Sequence, residues 1–282
     1  MSQSVTPALR EWIISQAQSG FAADVVLSSM LASGWQEDVA IAAMESTLKV
    51  HLAETQQAAK LPAPMTVPKL AIDDSPLYLQ LEDRRVTILS RIKDPSIVVL
   101  GDFLSYEECD ALIEGAKPRM ARSLTVEVET GGEELNADRT SNGMFYARAE
   151  NELIARIERR LAQLTRWPVE SGEGLQILHY RPGAEYKPHY DYFDPDEPGT
   201  PTILKRGGQR VATIIMYLYE PEKGGGTVFP DVKFTVAPKR GNAVFFSYDR
   251  PHPSSKSLHG GDPVITGEKW IATKWLREGN FA

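Results

Sequence analysis

Tyr186-Lys-Pro-His-Tyr-Asp-Tyr-Phe193 decides how this chain is read. His189 and Asp191 stand two residues apart, and on a β-strand positions i and i+2 face the same side of a sheet. One strand would then present an imidazole and a carboxylate together. A second imidazole, far downstream at His259, completes two nitrogens and one oxygen. Such a set holds a ferrous ion on one triangular face and leaves its other positions open for a co-substrate and dioxygen. A His-x-Asp pair alone is common and is most often a solvated polar pair, so the reading depends on the residues around His259.

Those residues are Leu258-His-Gly-Gly-Asp-Pro-Val-Ile-Thr-Gly-Glu-Lys-Trp-Ile-Ala-Thr-Lys-Trp275: a histidine leaving a turn, a bend punctuated by Gly and Pro, and a strand. Alternation places Lys269, Ile271, Thr273 and Trp275 on one face, and Trp270, Ala272, Lys274 and Leu276 on the other. A lysine sharing its face with Ile, Thr and Trp points inward, where an ammonium group is costly unless an anion meets it. No acid in the segment obviously supplies that anion. A dicarboxylate would, making Lys269 a candidate clamp for the distal carboxylate of 2-oxoglutarate. A surface lysine on an edge strand fits the same periodicity equally well.

Seven motifs stand in order along the chain: Arg139-Thr-Ser141, Tyr180-x-x-Gly183, His189-Tyr-Asp191, Gly208-Gln-Arg-Val-Ala-Thr213, Gly224-Gly-Gly-Thr-Val-Phe-Pro230, Pro238-Lys-Arg-Gly241, and His259-Gly-Gly-Asp-Pro-Val264 leading to Lys269-Trp270. With them the chain from about Asp94 to Arg277 resembles the prolyl 4-hydroxylase family of iron(II) and 2-oxoglutarate dependent dioxygenases. The implied fold class is α+β: a double-stranded β-helix, or jelly roll, with flanking helices and the metal in its open mouth. The resemblance implies His189, Asp191 and His259 as iron ligands and Lys269 as partner of the 2-oxoglutarate C5 carboxylate. It also implies Tyr180 and Thr227 in the co-substrate pocket, and Tyr186, Trp275, Arg139, Ser141 and Arg210 around a substrate groove. The expected reaction hydroxylates C4 of a prolyl residue in a protein or peptide, consumes O2 and 2-oxoglutarate, and releases succinate and CO2; ascorbate is a further candidate cofactor. Hydroxylation of a free amino acid, a non-catalytic metal-binding interaction protein and a metal-free lectin-like jelly roll are the alternatives.

The chain has 5 histidines, so few compete for the metal. His252, between two prolines, reads as a loop residue. His179 neighbours Tyr180 on a strand and must face the opposite way. His51 reads as a surface or interhelix residue of the N-terminal segment.

With 282 residues, 42% hydrophobic and 24% charged, the chain can bury a full core. No apolar run approaches the roughly 20 residues of a membrane span, and the polar Met1-Ser-Gln-Ser lacks the basic and apolar character of a secretion signal, so none is expected. The single Cys109 cannot form an internal disulfide, and a cytoplasmic enzyme is expected. A net charge of -7 speaks against broad nucleic-acid binding; neither nucleic acid nor membrane is an expected partner.

Residues 1–58 read as three short amphipathic helices, starting at Thr6-Pro7 with stops at Gly20 and Gly34. The stretch Gly20 to Met44 resembles small three-helix modules of the ubiquitin-associated type, which bind partner proteins. Alternatively, Trp12, Val26, Met30, Leu31 and Trp35 simply fill a bundle core or dock on the catalytic domain. Residues 59–76, with Leu61-Pro-Ala-Pro-Met-Thr-Val-Pro68, read as an extended Pro-rich linker, and 77–282 as the catalytic domain. There, strands are expected at Arg85–Leu89, Ser96–Leu100, Gly174–Tyr180, Arg210–Leu218, Lys233–Val236 and Gly241–Phe246. Helices are expected after the Ser105/Glu108 capping box and from Asn151 to about Thr165. Two long polar connections, Val126 to Gly143 and Asp194 to Gly208, have the character of lids.

Overall fold

The computed structural model describes residues 4–58, 61–72, 74, 76–122, 125–126, 133–134 and 140–282. The chain divides into two compact units, Met1–Pro62 and Ala63–Ala282.

The smaller unit is built of helices Pro7–Gln18, Ala23–Ala32 and Glu37–Ala58. The Thr6 hydroxyl accepts the Leu9 N–H, and Pro7 occupies the first helical position, where a missing N–H costs nothing. Gly20 and Gly34 adopt φ of +80° and +88°, the left-handed backbone that closes a helix. Between Glu37 and Ala58 there is neither Gly nor Pro, and the third helix runs to 22 residues instead of being short. Ile13, Val26, Met30, Ala40, Ala43 and Met44 form the core, with Trp12 and Trp35 packed against it. Leu31, expected inside, is exposed; one residue past buried Met30, it lies about 100° around the helix.

In the larger unit a nine-stranded antiparallel sheet runs, in spatial order, Tyr78–Gln80, Arg85–Ile92, Ser96–Gly101, Ala243–Ser247, Arg210–Tyr219, Lys269–Arg277, Leu175–Tyr180, Asn142–Tyr146, Ala121–Arg122. A four-stranded sheet, Phe234–Val236, Thr227–Phe229, His259–Gly261, Tyr186–His189, faces it. Strand alternation gives the large sheet two apolar faces. Val98, Leu100, Ile177, Ile214, Met216 and Ala272 meet helices Tyr106–Ala116 and Glu152–Thr165, whose Cys109, Leu112, Ile157, Leu161 and Leu164 recur at helical spacing. Val99, Leu178, Ile215, Val244, Phe246 and Ile271 meet Phe229 and Val236 of the small sheet. Two facing antiparallel sheets with helices behind one of them are the double-stranded β-helix.

The stretch expected to be a linker lies on this unit from Ala63 onward. Leu70 and Ile72 are buried in its helix-side core, and the Met65 N–H donates to the Asp249 carbonyl at 2.6 Å. Proline keeps such a segment extended, while the apolar residues between the prolines still have surface to bury.

Helix Glu152–Thr165 is tied to the rest by Arg160, whose side chain is 2% exposed. Its guanidinium donates to Glu108 at 2.7 and 2.9 Å, to Asp83 at 2.6 Å and to the Phe103 carbonyl at 2.9 Å. Arg160→Ala leaves the buried Glu108 carboxylate without its main partner and is expected to cost about 3–5 kcal/mol. A urea titration of the full chain, followed through the larger unit's transition, checks this as a lowered midpoint.

Candidate active site

His259 and His189 stand directly opposite each other on paired antiparallel strands, their ring centroids 4.5 Å apart. The strands approach so closely that a Cβ on Gly260 would lie 2.9 Å from the Tyr186 carbonyl oxygen and 3.0 Å from Pro188 N. Both neighbours are backbone, so the glycine after His259 is sterically required. Each histidine is oriented from behind: Nδ1 of His189 lies 2.8 Å from the Lys187 carbonyl, and Nδ1 of His259 lies 3.0 Å from the Ser257 carbonyl. A carbonyl only accepts, so each Nδ1 carries a hydrogen, and Nε2 is the nitrogen through which each ring can bind a metal.

Asp191 is not on the strand with His189, as the period-two reading expected. The strand ends at His189 and Asp191 sits in the bend beyond it. It converges because the Arg210–Tyr219 strand seizes this bend. The Gln209 amide pairs with both the N–H and the carbonyl of Phe193 at 2.8 and 2.7 Å, an Arg210 guanidinium N–H reaches the Asp191 carbonyl at 3.4 Å, and the Thr213 hydroxyl donates to Asp191 Oδ2 at 2.7 Å.

The carboxylate oxygens lie 3.7 Å from His189 Nε2 and 3.4 Å from His259 Nε2, and one donor atom from each of the three residues falls within 4.8 Å of the others. Burial raises the Asp191 carboxyl most strongly, yet His259, His189 and Arg210 together hold it well below the ordinary carboxylate range. Burial pushes His259 down to about 4, against the pull of Asp191, so its imidazole is neutral near pH 7. Two imidazole lone pairs and an ionised carboxylate turned toward one centre repel one another unless a cation lies between them. The donor set fits a ferrous ion with open positions.

Lys269 faces the same cavity from the large sheet. Its strand is central, not an edge, and the residue is 2% exposed, which removes the surface-lysine reading. Tyr180 is its cross-strand partner, and the ammonium lies 4.7 Å from the centre of that ring. Nζ donates to the Gly225 carbonyl at 2.8 Å. Among the described residues no carboxylate pairs with it, whereas Lys274, on the opposite face of the strand, meets Glu158 at 2.5 Å. Burial pushes the Lys269 amine down to about 8, with Asp262 drawing it back up. A buried ammonium without an anion of its own fits one end of a dicarboxylate.

The cavity opens to solvent, and Tyr180, Tyr186, Thr227 and Trp275 also line it. Tyr217 donates its hydroxyl hydrogen to Thr227 Oγ1 at 2.8 Å, which leaves the threonine hydrogen for the cavity. Tyr186 stacks on His189 at 3.7 Å.

Three groove candidates remain. Arg139 is outside the described residues. Ser141 is fully buried and not at the cavity wall. Arg210 lies behind the wall: its guanidinium donates to both oxygens of Glu173 at 2.7 and 2.9 Å and packs over the rings of Trp275 and Phe193. His179 points out of the cavity, to Glu268 and the Trp270 ring, and His252 accepts the Ser254 N–H in its own loop. Sequence reasoning passed over Thr213, Tyr217 and Tyr248 as site residues; Thr213 had a signal, as the hydroxyl in the otherwise apolar run Val211 to Ile215.

The profile of the 2OG-Fe(II) oxygenase superfamily matches residues 175–277, the span holding every donor described above. Prolyl 4-hydroxylase 5 of Arabidopsis thaliana is 43% identical over 209 residues, covering 67% of this chain and 70% of that protein. Probable prolyl 4-hydroxylase 10 of the same organism is 44% identical over 216 residues, covering 69% and 72%. Among solved structures, the viral collagen prolyl hydroxylase of Paramecium Bursaria Chlorella virus-1, in complex with 2OG, aligns with a TM-score of 0.50 and 31% identity, covering 64% of this chain and 95% of that one. The chain belongs to the prolyl 4-hydroxylase family within the 2OG-Fe(II) oxygenase superfamily.

Proposed function

We propose that this chain hydroxylates C4 of a prolyl residue in a protein or peptide, using iron(II), 2-oxoglutarate and dioxygen and releasing succinate and CO2. One observation carries the co-substrate: a buried ammonium, Lys269, with no carboxylate partner among the described residues, shares one cavity with a two-histidine, one-carboxylate donor set. The prolyl target is supported by the Arabidopsis relatives at 43–44% identity.

Bound iron with 2-oxoglutarate supplies the oxidising power for breaking an unactivated C–H bond. The chain's residues orient the participants and keep water away. His189, Asp191 and His259 hold the metal. Lys269 pairs with the distal carboxylate, Thr227 offers its hydroxyl hydrogen, and Tyr180 lines the cavity beside them. Tyr186 and Trp275 present aromatic surface at the wall for an apolar proline ring. In the helical unit Phe21, Val25, Leu31 and Ile41 are exposed, and we read that unit as the contact for a protein partner.

His189→Ala is expected to abolish iron-dependent conversion of 2-oxoglutarate to succinate; undiminished turnover in the variant ends the iron reading. After reaction with proline-containing peptides, mass spectrometry is expected to find one added oxygen on proline. Oxidation of free amino acids alone favours the small-molecule alternative. Lys269→Met is expected to raise the KM for 2-oxoglutarate by about 10–100-fold, the loss of a charge-assisted pair. The dicarboxylate needs the charged amine, whose pKa burial pushes down to about 8. Steady-state kinetics should therefore show a KM flat below that pH and climbing up to about tenfold per unit above it. Stability runs the other way. The unfolded chain keeps this proton up to the ordinary 10.5, so between the two values the unfolded state binds more protons and the fold gains stability as pH rises.

A further inference from the structure

Asp191 has left its strand, so backbone geometry alone does not set how its carboxylate is turned. Thr213, fully buried in the Arg210–Tyr219 strand, has a hydroxyl with a single hydrogen. Asp191 Oδ2 lies 2.7 Å from it on one side and the Tyr248 hydroxyl 3.0 Å on the other. An ionised carboxylate only accepts, so Thr213 gives its hydrogen to Asp191, and Tyr248 must give its own to Thr213. Tyr248 is anchored in turn, buried, with its N–H on the Val211 carbonyl at 3.1 Å. The result is a one-way chain of hydroxyls, from Tyr248 just past the Ala243–Ser247 strand, through Thr213 on the neighbouring Arg210–Tyr219 strand, to Asp191 in its bend.

We propose that Thr213 and Tyr248 are positioning residues that fix the rotation of the Asp191 carboxylate and thereby set the cation affinity of the site. The inference rests on the reading of Asp191 as a metal donor. Packing alone does not call for this chain: valine has the same shape as threonine and would fill the same space in the core, with no hydrogen to give.

The test is a Co(II) titration of the full chain without 2-oxoglutarate, followed by visible d–d absorption, with thermal melts to show that each variant is folded. Thr213→Val is expected to weaken Co(II) binding by about 10–100-fold and to shift the absorption bands, as loss of a group behind a metal ligand does. Thr213→Ser keeps the hydroxyl and is expected to restore affinity. Tyr248→Phe is expected to weaken binding on its own and to add nothing in the Thr213→Val background, because its effect passes through the threonine. Wild-type affinity in Thr213→Val overturns the proposal, as does full additivity of the two substitutions. Should Thr213→Val not fold, Thr213→Ser and Tyr248→Phe carry the same decision: wild-type Co(II) affinity in Tyr248→Phe overturns it. Asp191→Ala separates the two levels. Co(II) binding that survives this substitution sinks the metal-donor reading itself, while binding lost there and unchanged in Thr213→Val sinks only the relay.

Discussion

The close approach of the His259–Gly261 strand to Tyr186–His189 is the contact on which the cavity depends. Direct pairing of His259 with His189 turns two imidazoles to one side, and the absence of a side chain at Gly260 is what lets the backbones come together. The small sheet thus contributes both nitrogen donors. The oxygen donor belongs to neither sheet. It sits in a bend captured by Gln209, Arg210 and Thr213, which lie just before and at the start of one strand of the large sheet. Convergence of the three donors is therefore also a junction of the two layers, and a disturbance of either sheet reaches the metal position.

Charge inside the larger unit is handled in two ways. Where it is structural, it is matched: Arg160 with Glu108 and Asp83, Arg210 and Arg277 with Glu173, Lys274 with Glu158. Where it faces the cavity, it is left open, as an ammonium with a carbonyl for company and as three electron-rich donors turned on one another. Leaving buried charge unmatched costs stability, and a fold tolerates that at a place where a ligand supplies the missing partner.

Much of this was legible in the chain. Alternation through Lys269, Ile271, Thr273 and Trp275 placed four side chains on one wall, and the adjacency of His179 and Tyr180 required the two to face opposite ways, with Tyr180 the one at the cavity. The readings that failed depended on distant partners. Arg210 looks like a groove residue until Glu173, 37 positions away, takes its guanidinium. Asp191 obeys strand periodicity only on paper, because the strand stops two residues short of it. Residues after Ala63 read as a free linker from their prolines, while Leu70 and Ile72 find a core that no local pattern announces. Local rules describe what a side chain can do; which neighbour arrives is decided by the sheet order.

The two buried lysines of the last strand have a bearing on how that strand finds its place. Lys269 and Lys274 are five residues apart, an odd spacing, and so occupy opposite faces, one toward the cavity and one toward Glu158 on the helix side. A slip of one residue would exchange every side chain between the faces. It would drive Lys269 into the apolar helix-side layer and pull Lys274 away from its glutamate, stranding both ammoniums at once. Beyond their separate partners, the two lysines therefore make a one-residue misalignment of this strand costly in charge as well as in apolar pattern.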